Sequence, residues 1–519
     1  MGPGNSTDAR RHRTPLMSFD LVLFGGTGDL TWRRLMPALF QAHRHGSLPE
    51  GGRILAIARH PYGDDDYRSW LRERFRDVEE AKRPTDAEYA RFARLVHYRR
   101  ADRAQPEDQP RIRDWLASPA EGREGPADAV LMYLATSPHL FPVVCEQLGR
   151  AGLNGPQVRV VLEKPLGHDL ASAREINRVV HAAFDEAHAL RIDHYLGKPA
   201  VQNLMALRFG NVLFEPLWRR ECIANIRISI AEDLGVGTRG DFYDRTGALR
   251  DMIQNHALQL LTMIAMEPPA RLTADDIRSE KLKVLHALKP FTEATALRDV
   301  VRGQYRRGTV DGRLVPGYRE EAKVPADSRT ETFVALRAEV QNWRWAGVPF
   351  FLRTGKRLDS RTAEIVVEFL PTPHNIFPGS SRPNKLVIKL HPEDGLELHL
   401  AAVTGSAQCE TLSPVSLDLD FGKAFAHDRV GAYERLLLDA IAGRLNLFVR
   451  SEEQEEAWRW VEPILRAWER ENEASNGPLP YDAGSSGPAA ANALVAREGF
   501  AWDGEGSGRT NDDGPSLRL

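Results

Sequence analysis

The feature that most constrains the fold is a glycine-rich turn near the start of the chain. An apolar run of strand length, Asp20 to Phe24, leads into Gly25-Gly26-Thr27-Gly28-Asp29-Leu30, and apolar residues then recur at helical spacing as far as Leu39. Strand, glycine turn and helix in this order are typical of a site that seats a dinucleotide pyrophosphate on the amides of the helix N-terminus. The pattern lacks the third glycine of the full fingerprint, so a tight turn without a ligand is the alternative.

The end of the next strand bears on which dinucleotide would bind. The apolar run Arg53 to Ala58 is followed by Arg59. An acidic residue at this place holds the ribose 2′-hydroxyl of NAD, whereas an arginine pairs with the 2′-phosphate of NADP. Arg59 therefore favours NADP as the cofactor, the alternative being an ordinary surface arginine.

The two halves of the chain differ in pattern, which predicts two domains. Residues 19–195 alternate short apolar strands, such as Ala129 to Leu134 and Val158 to Leu162, with helical segments, as in a parallel sheet with crossover helices. Residues 196–503 carry strand-like runs without regular crossovers, which predicts an α+β domain with a mostly antiparallel sheet. A flexible extension is expected at residues 1–18 and a disordered tail at 504–519, because both are polar and poor in apolar residues.

Composition excludes several classes of protein. The 519 residues are 42% hydrophobic and 27% charged with a net charge of −3, which fits a large soluble enzyme and gives no reason to expect a nucleic-acid or membrane partner. The three cysteines follow no metal or disulfide spacing, so no metal site and a reducing compartment are expected. With no apolar signal core and no run of membrane-spanning length, we expect a cytoplasmic protein.

The chemically densest stretch is Arg191-Ile192-Asp193-His194-Tyr195-Leu196-Gly197-Lys198. A carboxylate, an imidazole, a phenol and two cations within eight positions suit an anionic substrate rich in hydroxyl groups. A solvated loop with unrelated charges is the alternative for this stretch taken alone.

Two further segments carry candidate site residues. Lys164 follows the strand that ends at Leu162, and ligands bind at the carboxyl ends of the strands in open α/β sheets. Asp251 and His256 share one helical stretch, and a neutral histidine held by a carboxylate such as Asp193 serves as a general base at neutral pH. Sequence spacing does not show that these groups meet.

Together these motifs resemble the glucose-6-phosphate dehydrogenase family. The resemblance covers about residues 19–503 and rests on the glycine turn, Glu163-Lys164-Pro165, the stretch from Arg191 to Lys198, the stretch from Arg250 to His256, and Arg353-Thr354-Gly355-Lys356. It implies that the chain oxidises glucose 6-phosphate to 6-phosphogluconolactone with NADP, the entry step of the oxidative pentose phosphate pathway. It also implies a homodimer or homotetramer.

The resemblance assigns a role to each matching residue. It implies that His256 is the base and Asp193 its carboxylate partner. The 6-phosphate would be held by His194, Tyr195 and Lys198. The sugar hydroxyls would be held by Lys164, Glu232 and Asp251, with Lys356 and Arg361 closing the sugar site. The cofactor would be held by Gly25, Gly26, Thr27, Gly28, Asp29, Leu30 and Arg59, with Lys164 near the nicotinamide.

Three departures from the family's pattern, at Pro199, Arg34 and Phe141, and two alternatives accompany the resemblance. Pro199 stands where the family commonly has a glutamate, and a proline suits the first turn of a helix. A sugar oxidoreductase of the same fold with another substrate is one alternative, against which the cations Lys198 and Arg361 count. A catalytically inactive NADP-sensing scaffold is the other, against which His256 and Asp193 count.

Overall fold

The computed structural model describes residues 18–101, 109–377, 382–403, 411–425, 430–473, 477–502 and 517–518. The N-terminal extension expected at 1–18 and the tail expected at 504–519 therefore lie outside the described residues, apart from Ser18 and a short strand at Leu517–Arg518. In the part of the chain that is described, none of the helices combines the length and apolar character needed to cross a membrane.

The chain divides into two compact units. The first comprises Met1–Glu163, Arg178–Ile192 and Tyr433–Leu445, and the second comprises Lys164–Asn177, Asp193–Ala432 and Asn446–Leu519. The expected division after residue 195 lies close to the point where the chain passes from Ile192 to Asp193. The units differ from that division because residues 164–177 belong to the second unit and residues 433–445 to the first.

The strands of the first unit form a parallel sheet. They are β1 (Phe19–Phe24), β2 (Arg53–Ala58), β3 (Val96–Arg100), β4 (Ala129–Leu134), β5 (Val158–Leu162) and β6 (Ala189–Ile192). Their order is β6-β5-β4-β1-β2-β3, with every neighbouring pair parallel. This is the strand order of the dinucleotide-binding fold, and the order reverses between β1 and β4. The predicted Rossmann-like domain is confirmed.

The second unit is built on a larger sheet. Its strands are β7 (Ile223–Ala231), β8 (Val300–Arg306), β9 (Gly308–Val310), β10 (Arg313–Val315), β11 (Phe333–Glu339), β12 (Pro349–Gly355), β13 (Ala363–Phe369), β14 (Lys385–His391), β15 (Gly395–Val403), β16 (Leu412–Asp420), β17 (Phe448–Val449), β18 (Leu479–Asp482) and β19 (Leu517–Arg518). Within the described residues the sheet order is β18-β8-β11-β12-β7-β13-β14-β15-β16-β19, while β9 and β10 form a separate hairpin and β17 lies outside this sheet. Most neighbours are antiparallel, as predicted, but three pairs run parallel: β7 with β12, β8 with β18, and β16 with β19.

The α-helices of the described residues are distributed over both units. They are α1 (Met36–Arg44), α2 (Asp64–Arg74), α3 (Asp86–Ala93), α4 (Gln109–Ala117), α5 (Phe141–Arg150), α6 (Leu170–Ala183), α7 (Pro199–Phe209), α8 (Gly240–Asp244), α9 (Leu258–Ala265), α10 (Ala274–Ala287), α11 (Glu293–Asp299), α12 (Phe421–Ala424), α13 (Ala432–Ala442), α14 (Ser451–Glu473) and α15 (Ala489–Ala496). Helix α7 begins at Pro199, so the proline is accommodated in the first turn as expected. Two segments, Thr31–Leu35 and Leu249–Ala257, are π-helical.

Candidate active site

The glycine turn of the first unit lies where β1 ends, beside the ends of β2 and β4. The amides of Gly25 and Gly26 both donate to the carbonyl of Ile57, at 2.9 and 2.8 Å. Gly25 has a φ of +99°, and a Cβ placed on it would lie 2.3 Å from the carbonyl oxygen of Ala135. Only glycine fits at this position, because both the backbone angle and the close approach exclude a side chain.

Side chains brace this turn from two directions. The Tyr67 hydroxyl donates to the Gly26 carbonyl at 2.6 Å, and the Thr31 hydroxyl donates to the Gly25 carbonyl at 2.9 Å. The Gly28 amide donates to Gly25, so the amides of all three glycines are used inside the protein. A pyrophosphate at this edge would therefore meet the start of the helix that follows, with the glycines shaping the approach.

Arg59 is exposed directly after β2, on the same edge of the sheet. Beside it, His60 Nδ1 lies 3.1 Å from the Thr27 hydroxyl, and the His60 ring stacks on Tyr62 with centroids 5.7 Å apart. The sequence analysis did not identify His60 as a neighbour of the glycine turn, although it directly follows Arg59. Thr27 and Arg59 thus belong to one open, polar corner of the first unit, while Asp29 is exposed and pairs with Arg33.

In the second unit, His256 and Asp193 form a buried pair. His256 Nδ1–H donates to Asp193 Oδ1 at 2.7 Å, and the side chains are only 1% and 3% exposed. Burial lowers the pKa of His256, an effect that the Asp193 charge opposes without reversing. The pKa of Asp193 is lowered: burial acts to raise it, but the charge of His256 and the hydrogen bond outweigh burial. The pair therefore rests as a neutral imidazole and a carboxylate.

The π-helical segment Leu249–Ala257 explains how Asp251 and His256 serve one site. Residues five apart in an α-helix point about 140° away from each other, given 3.6 residues per turn. A π-helix closes its hydrogen bonds between residues five apart, which brings them to the same side. The sequence predicted a helical stretch here but not the wider turn.

Lys164 joins the site through Asp251. Its ammonium donates to the Asp251 carbonyl at 2.8 Å and to the Asp251 carboxylate at 3.1 Å, and the Lys164–Pro165 peptide is cis. Burial acts to raise the pKa of Asp251, but the charges of Lys164 and Lys356 hold it below its ordinary value. A carboxylate fixed in this way is able to accept a hydrogen bond from a hydroxyl group.

Three residues between Asp193 and α7 lie near His256. The Tyr195 ring stacks on His256 with centroids 4.4 Å apart, and His194 meets His256 edge-on at 4.5 Å. The Lys198 ammonium lies 4.2 Å from the Tyr195 ring centroid and donates to the Leu390 carbonyl at 3.3 Å. Burial lowers the pKa of Lys198 to about 8 and the pKa of His194 well below its ordinary value.

The remaining predicted residues meet at one edge of the large sheet. Glu232 follows β7 and Lys356 follows β12, and these parallel neighbours end side by side. The Lys356 ammonium contacts Glu232 Oε2 at 2.6 Å. Arg361 precedes β13, whose first residue pairs with the end of β7, and it lies within electrostatic range of Tyr195 and Lys198. The predicted sugar-site residues therefore all fall within the second unit.

His391 lies close to the predicted phosphate-binding residues, and the sequence analysis did not identify it. It ends β14, one residue beyond the carbonyl that Lys198 contacts. Burial lowers the pKa of His391, and the charges of Arg361 and Lys198 lower it further, whereas those of Asp394 and Asp233 raise it, so it lies within electrostatic range of both predicted phosphate-binding cations. Only the position of β14 in the sheet brings it there, and no local motif marks it.

Comparison with known proteins places this geometry in a family. The model of the glucose-6-phosphate dehydrogenase NAD-binding domain matches residues 22–203, and that of the glucose-6-phosphate dehydrogenase C-terminal domain matches residues 205–503. The chain belongs to the glucose-6-phosphate dehydrogenase family. The resemblance seen in the sequence is thereby confirmed.

Individual glucose-6-phosphate dehydrogenases are similar along almost the whole chain. Glucose-6-phosphate 1-dehydrogenase of Mycolicibacterium smegmatis is 47% identical over 95% of this chain and 99% of that protein. The structure of a glucose-6-phosphate dehydrogenase in complex with glucose 6-phosphate superposes with a TM-score of 0.84 at 32% identity, covering 93% of this chain and 98% of that one. The Mycobacterium avium enzyme gives a TM-score of 0.78 at 36% identity, covering 94% and 98%.

Proposed function

We propose that this protein oxidises glucose 6-phosphate at C1 to 6-phosphogluconolactone and reduces NADP. The observation that carries the proposal is the His256–Asp193 pair, buried among cations that suit a sugar phosphate. Family membership over nearly the full chain supports the same reaction.

His256 would act as the base. Because Nδ1–H is committed to Asp193, the neutral ring presents Nε2 as its acceptor, and among the described residues this buried atom has no hydrogen-bond partner. Nε2 would take the C1 hydroxyl proton as the C1 hydride departs, and Asp193 would stabilise the imidazolium that forms. Histidine with a lowered pKa needs no prior deprotonation at neutral pH.

The charged groups around His256 would hold the substrate. Lys198, with His194, Tyr195 and Arg361, supplies the cations and donors that a phosphate dianion needs. The Lys164–Asp251 and Glu232–Lys356 pairs present oriented acceptors and donors for the sugar hydroxyls. Neutral glucose would offer no anionic group to the Lys198 ammonium, which is why the phosphorylated sugar is the proposed substrate.

The first unit would hold the cofactor. The residues of the turn fit a pyrophosphate, because the glycines remove the side chains that would block its approach and a helix N-terminus follows them. Arg59 would pair with the 2′-phosphate. When bound, NADP supplies the nicotinamide ring that accepts the hydride.

One assay tests the proposal. Absorbance at about 340 nm measures the reduced nicotinamide. Glucose 6-phosphate and glucose are each assayed with NADP and with NAD. We expect turnover with glucose 6-phosphate and NADP, and far lower kcat/KM with glucose. A preference for another sugar would favour the related sugar oxidoreductase, and no turnover with any pair would favour the inactive scaffold.

Two features of the assembled protein remain predictions. The homodimer or homotetramer expected from the family resemblance can be checked by sedimentation at several protein concentrations. The cytoplasmic location can be checked by fractionating cells that produce the protein.

A further inference from the structure

The π-helical segment that carries Asp251 and His256 is anchored at its start by Glu331. The Ala248 amide donates to the Glu331 carbonyl, and the Leu249 amide donates to Glu331 Oε1, both at 3.0 Å. The first amides of a helix lack partners within it, so an acceptor here fixes where the segment begins. Glu331 thereby supplies both a backbone and a side-chain acceptor to two successive amides.

Gly247 makes this contact possible. It has a φ of +72°, and a Cβ at this position would lie 2.3 Å from Glu331 Oε1 and 2.7 Å from Oε2. Any side chain at residue 247 would therefore push the carboxyl group away from Leu249. Gly247 and Glu331 therefore act together at the start of the segment, although they lie far apart in the sequence.

Glu331 also adjoins the opposite side of the sugar site. The next residue, Thr332, accepts the Lys356 amide on its carbonyl at 2.9 Å, and its hydroxyl lies 2.9 Å from the Tyr481 hydroxyl. Adjacent residues thus hold the segment bearing Asp251 and His256 and the backbone of Lys356. A change in the position of Glu331 would therefore change the geometry of the site.

Burial of the ionisable Glu331 side chain costs free energy that packing alone does not offset. The residue is only 6% exposed, and burial raises the pKa of its carboxyl group. The charges of Arg250 and Arg302 act against that rise. A buried carboxyl group is retained where its hydrogen bonds define a geometry that an apolar residue would not.

We propose that Glu331 is a positioning residue for the oxidation of the sugar. By capping the π-helical segment it keeps Asp251 and His256 on the same side, in reach of Lys164 and Asp193. The inference rests on the roles proposed above for Asp251 and His256. Glu331 itself contacts no reacting atom, so its effect is carried by the segment that it holds.

The first test compares Glu331→Ala with Glu331→Gln. Glutamine keeps the acceptor for the Leu249 amide, whereas alanine removes it. Misplacement of catalytic groups by about 1 Å can cost 10²-fold, so we expect Glu331→Ala to lower kcat by roughly 10- to 100-fold. The KM for glucose 6-phosphate should rise because Asp251 moves as well, while the KM for NADP should stay. Glu331→Gln should restore most of the activity.

Two matched glycine variants provide an independent test. Gly247→Ala should reproduce the kinetics of Glu331→Ala, since its methyl group displaces the carboxyl group. Gly312→Ala is the control, because Gly312 has a φ of +74° with nothing within 4 Å of its Cβ position. It carries the same backbone cost and should leave kcat and both KM values unchanged. In the double variant Gly247→Ala with Glu331→Ala the two losses should be far from additive.

The outcomes separate this inference from the proposed function. His256→Ala is assayed alongside, and the thermal midpoint of each variant shows that it is folded. Full turnover by His256→Ala would overturn the site assignment. With His256→Ala inactive, the inference on Glu331 fails if Glu331→Ala keeps kcat within about threefold, well short of the expected misplacement cost. It fails equally if glutamine loses as much as alanine, or if Gly312→Ala matches Gly247→Ala.

Discussion

The two proposed binding regions of this protein are built in opposite ways. In the first unit the glycine turn is a run of contiguous residues in which backbone shape decides what fits, and Arg59, the side chain proposed to select the cofactor, is exposed. In the second unit the proposed sugar site consists of ionisable side chains from distant parts of the sequence, most of them buried or paired with one another. His256 and Asp193 lie 63 positions apart and Lys198 and Leu390 lie 192 apart.

This difference sets how each region should respond to substitution. Removing one member of a buried charged pair leaves the other uncompensated, which is strongly unfavourable, whereas an exposed cation is screened by water and salt. Side-chain substitutions in the second unit should therefore have the larger effects on the reaction. In the first unit they should alter the choice of cofactor more than the rate.

Substitution of His256 is the strongest test of this difference between the two units. Replacing it by alanine should lower kcat by on the order of 10²–10⁴-fold, the usual contribution of a positioned general base, with little change in sugar binding. Single-turnover and steady-state kinetics together measure both quantities. Turnover within about threefold of the parent would contradict the role of His256 as base, given that expected range.

Asp193→Asn sharpens the same prediction. The amide cannot stabilise the imidazolium, so the variant should lose activity through the same step as His256→Ala. Groups that act as a unit are non-additive, and the double variant should be scarcely worse than His256→Ala alone. Additive losses would mean that Asp193 serves a separate purpose.

The contrast between the regions also explains what the sequence could predict. The strands β2, β4 and β5 end where the apolar runs end, and the glycine turn is local, so periodicity and turn chemistry identified them. The parallel pairing of β7 with β12, which sets Glu232 beside Lys356, depends on a sheet order that no local pattern encodes.

Residues of the sugar site were predictable to the extent that they lay in dense motifs. The stretch from Asp193 to Lys198 stood out by its chemistry, and the role of His256 came from the family resemblance. His391 and Glu331 stand in ordinary strand and loop sequence, and they reach the site only through tertiary packing. The π-helical turn is likewise a tertiary result, because isolated sequence favours the α-helix.

Lys198→Ala should have the next largest effect. Loss of a charged hydrogen bond of roughly 1.5–3 kcal/mol should raise the KM for glucose 6-phosphate by about 10- to 100-fold. Activity on glucose, already weak, should change little, so the preference for the phosphorylated sugar should collapse. The measurement is kcat/KM for both sugars in parent and variant. Equal proportional losses would place the phosphate contact elsewhere.

A smaller effect, confined to the cofactor, is expected at Arg59. Because its guanidinium is exposed and screened, Arg59→Ala should weaken NADP by about tenfold, the lower part of the range for a charge-assisted contact. NAD lacks the 2′-phosphate and should bind as before. Arg76→Ala, which removes another exposed arginine of the first unit, is the matched control. Titration of NADP and of NAD into the variant measures both affinities. Equal losses of affinity for NADP and NAD would rule out a 2′-phosphate contact.

The smallest expected change is a shift in the pH dependence, produced by Lys198→Arg. Burial lowers the pKa of Lys198 to about 8, so its cation is lost as the pH rises through that value. In the parent, kcat/KM for glucose 6-phosphate should therefore fall above pH of about 8, while kcat should hold because a bound phosphate favours the ammonium form.

Arginine remains charged throughout this range, so the variant should lose the alkaline decline even if its KM near neutral pH is somewhat higher. The acidic decline, set by the lowered pKa of His256, should be the same in both proteins. An alkaline decline that persists in Lys198→Arg would assign it to another group and would separate phosphate recognition from Lys198.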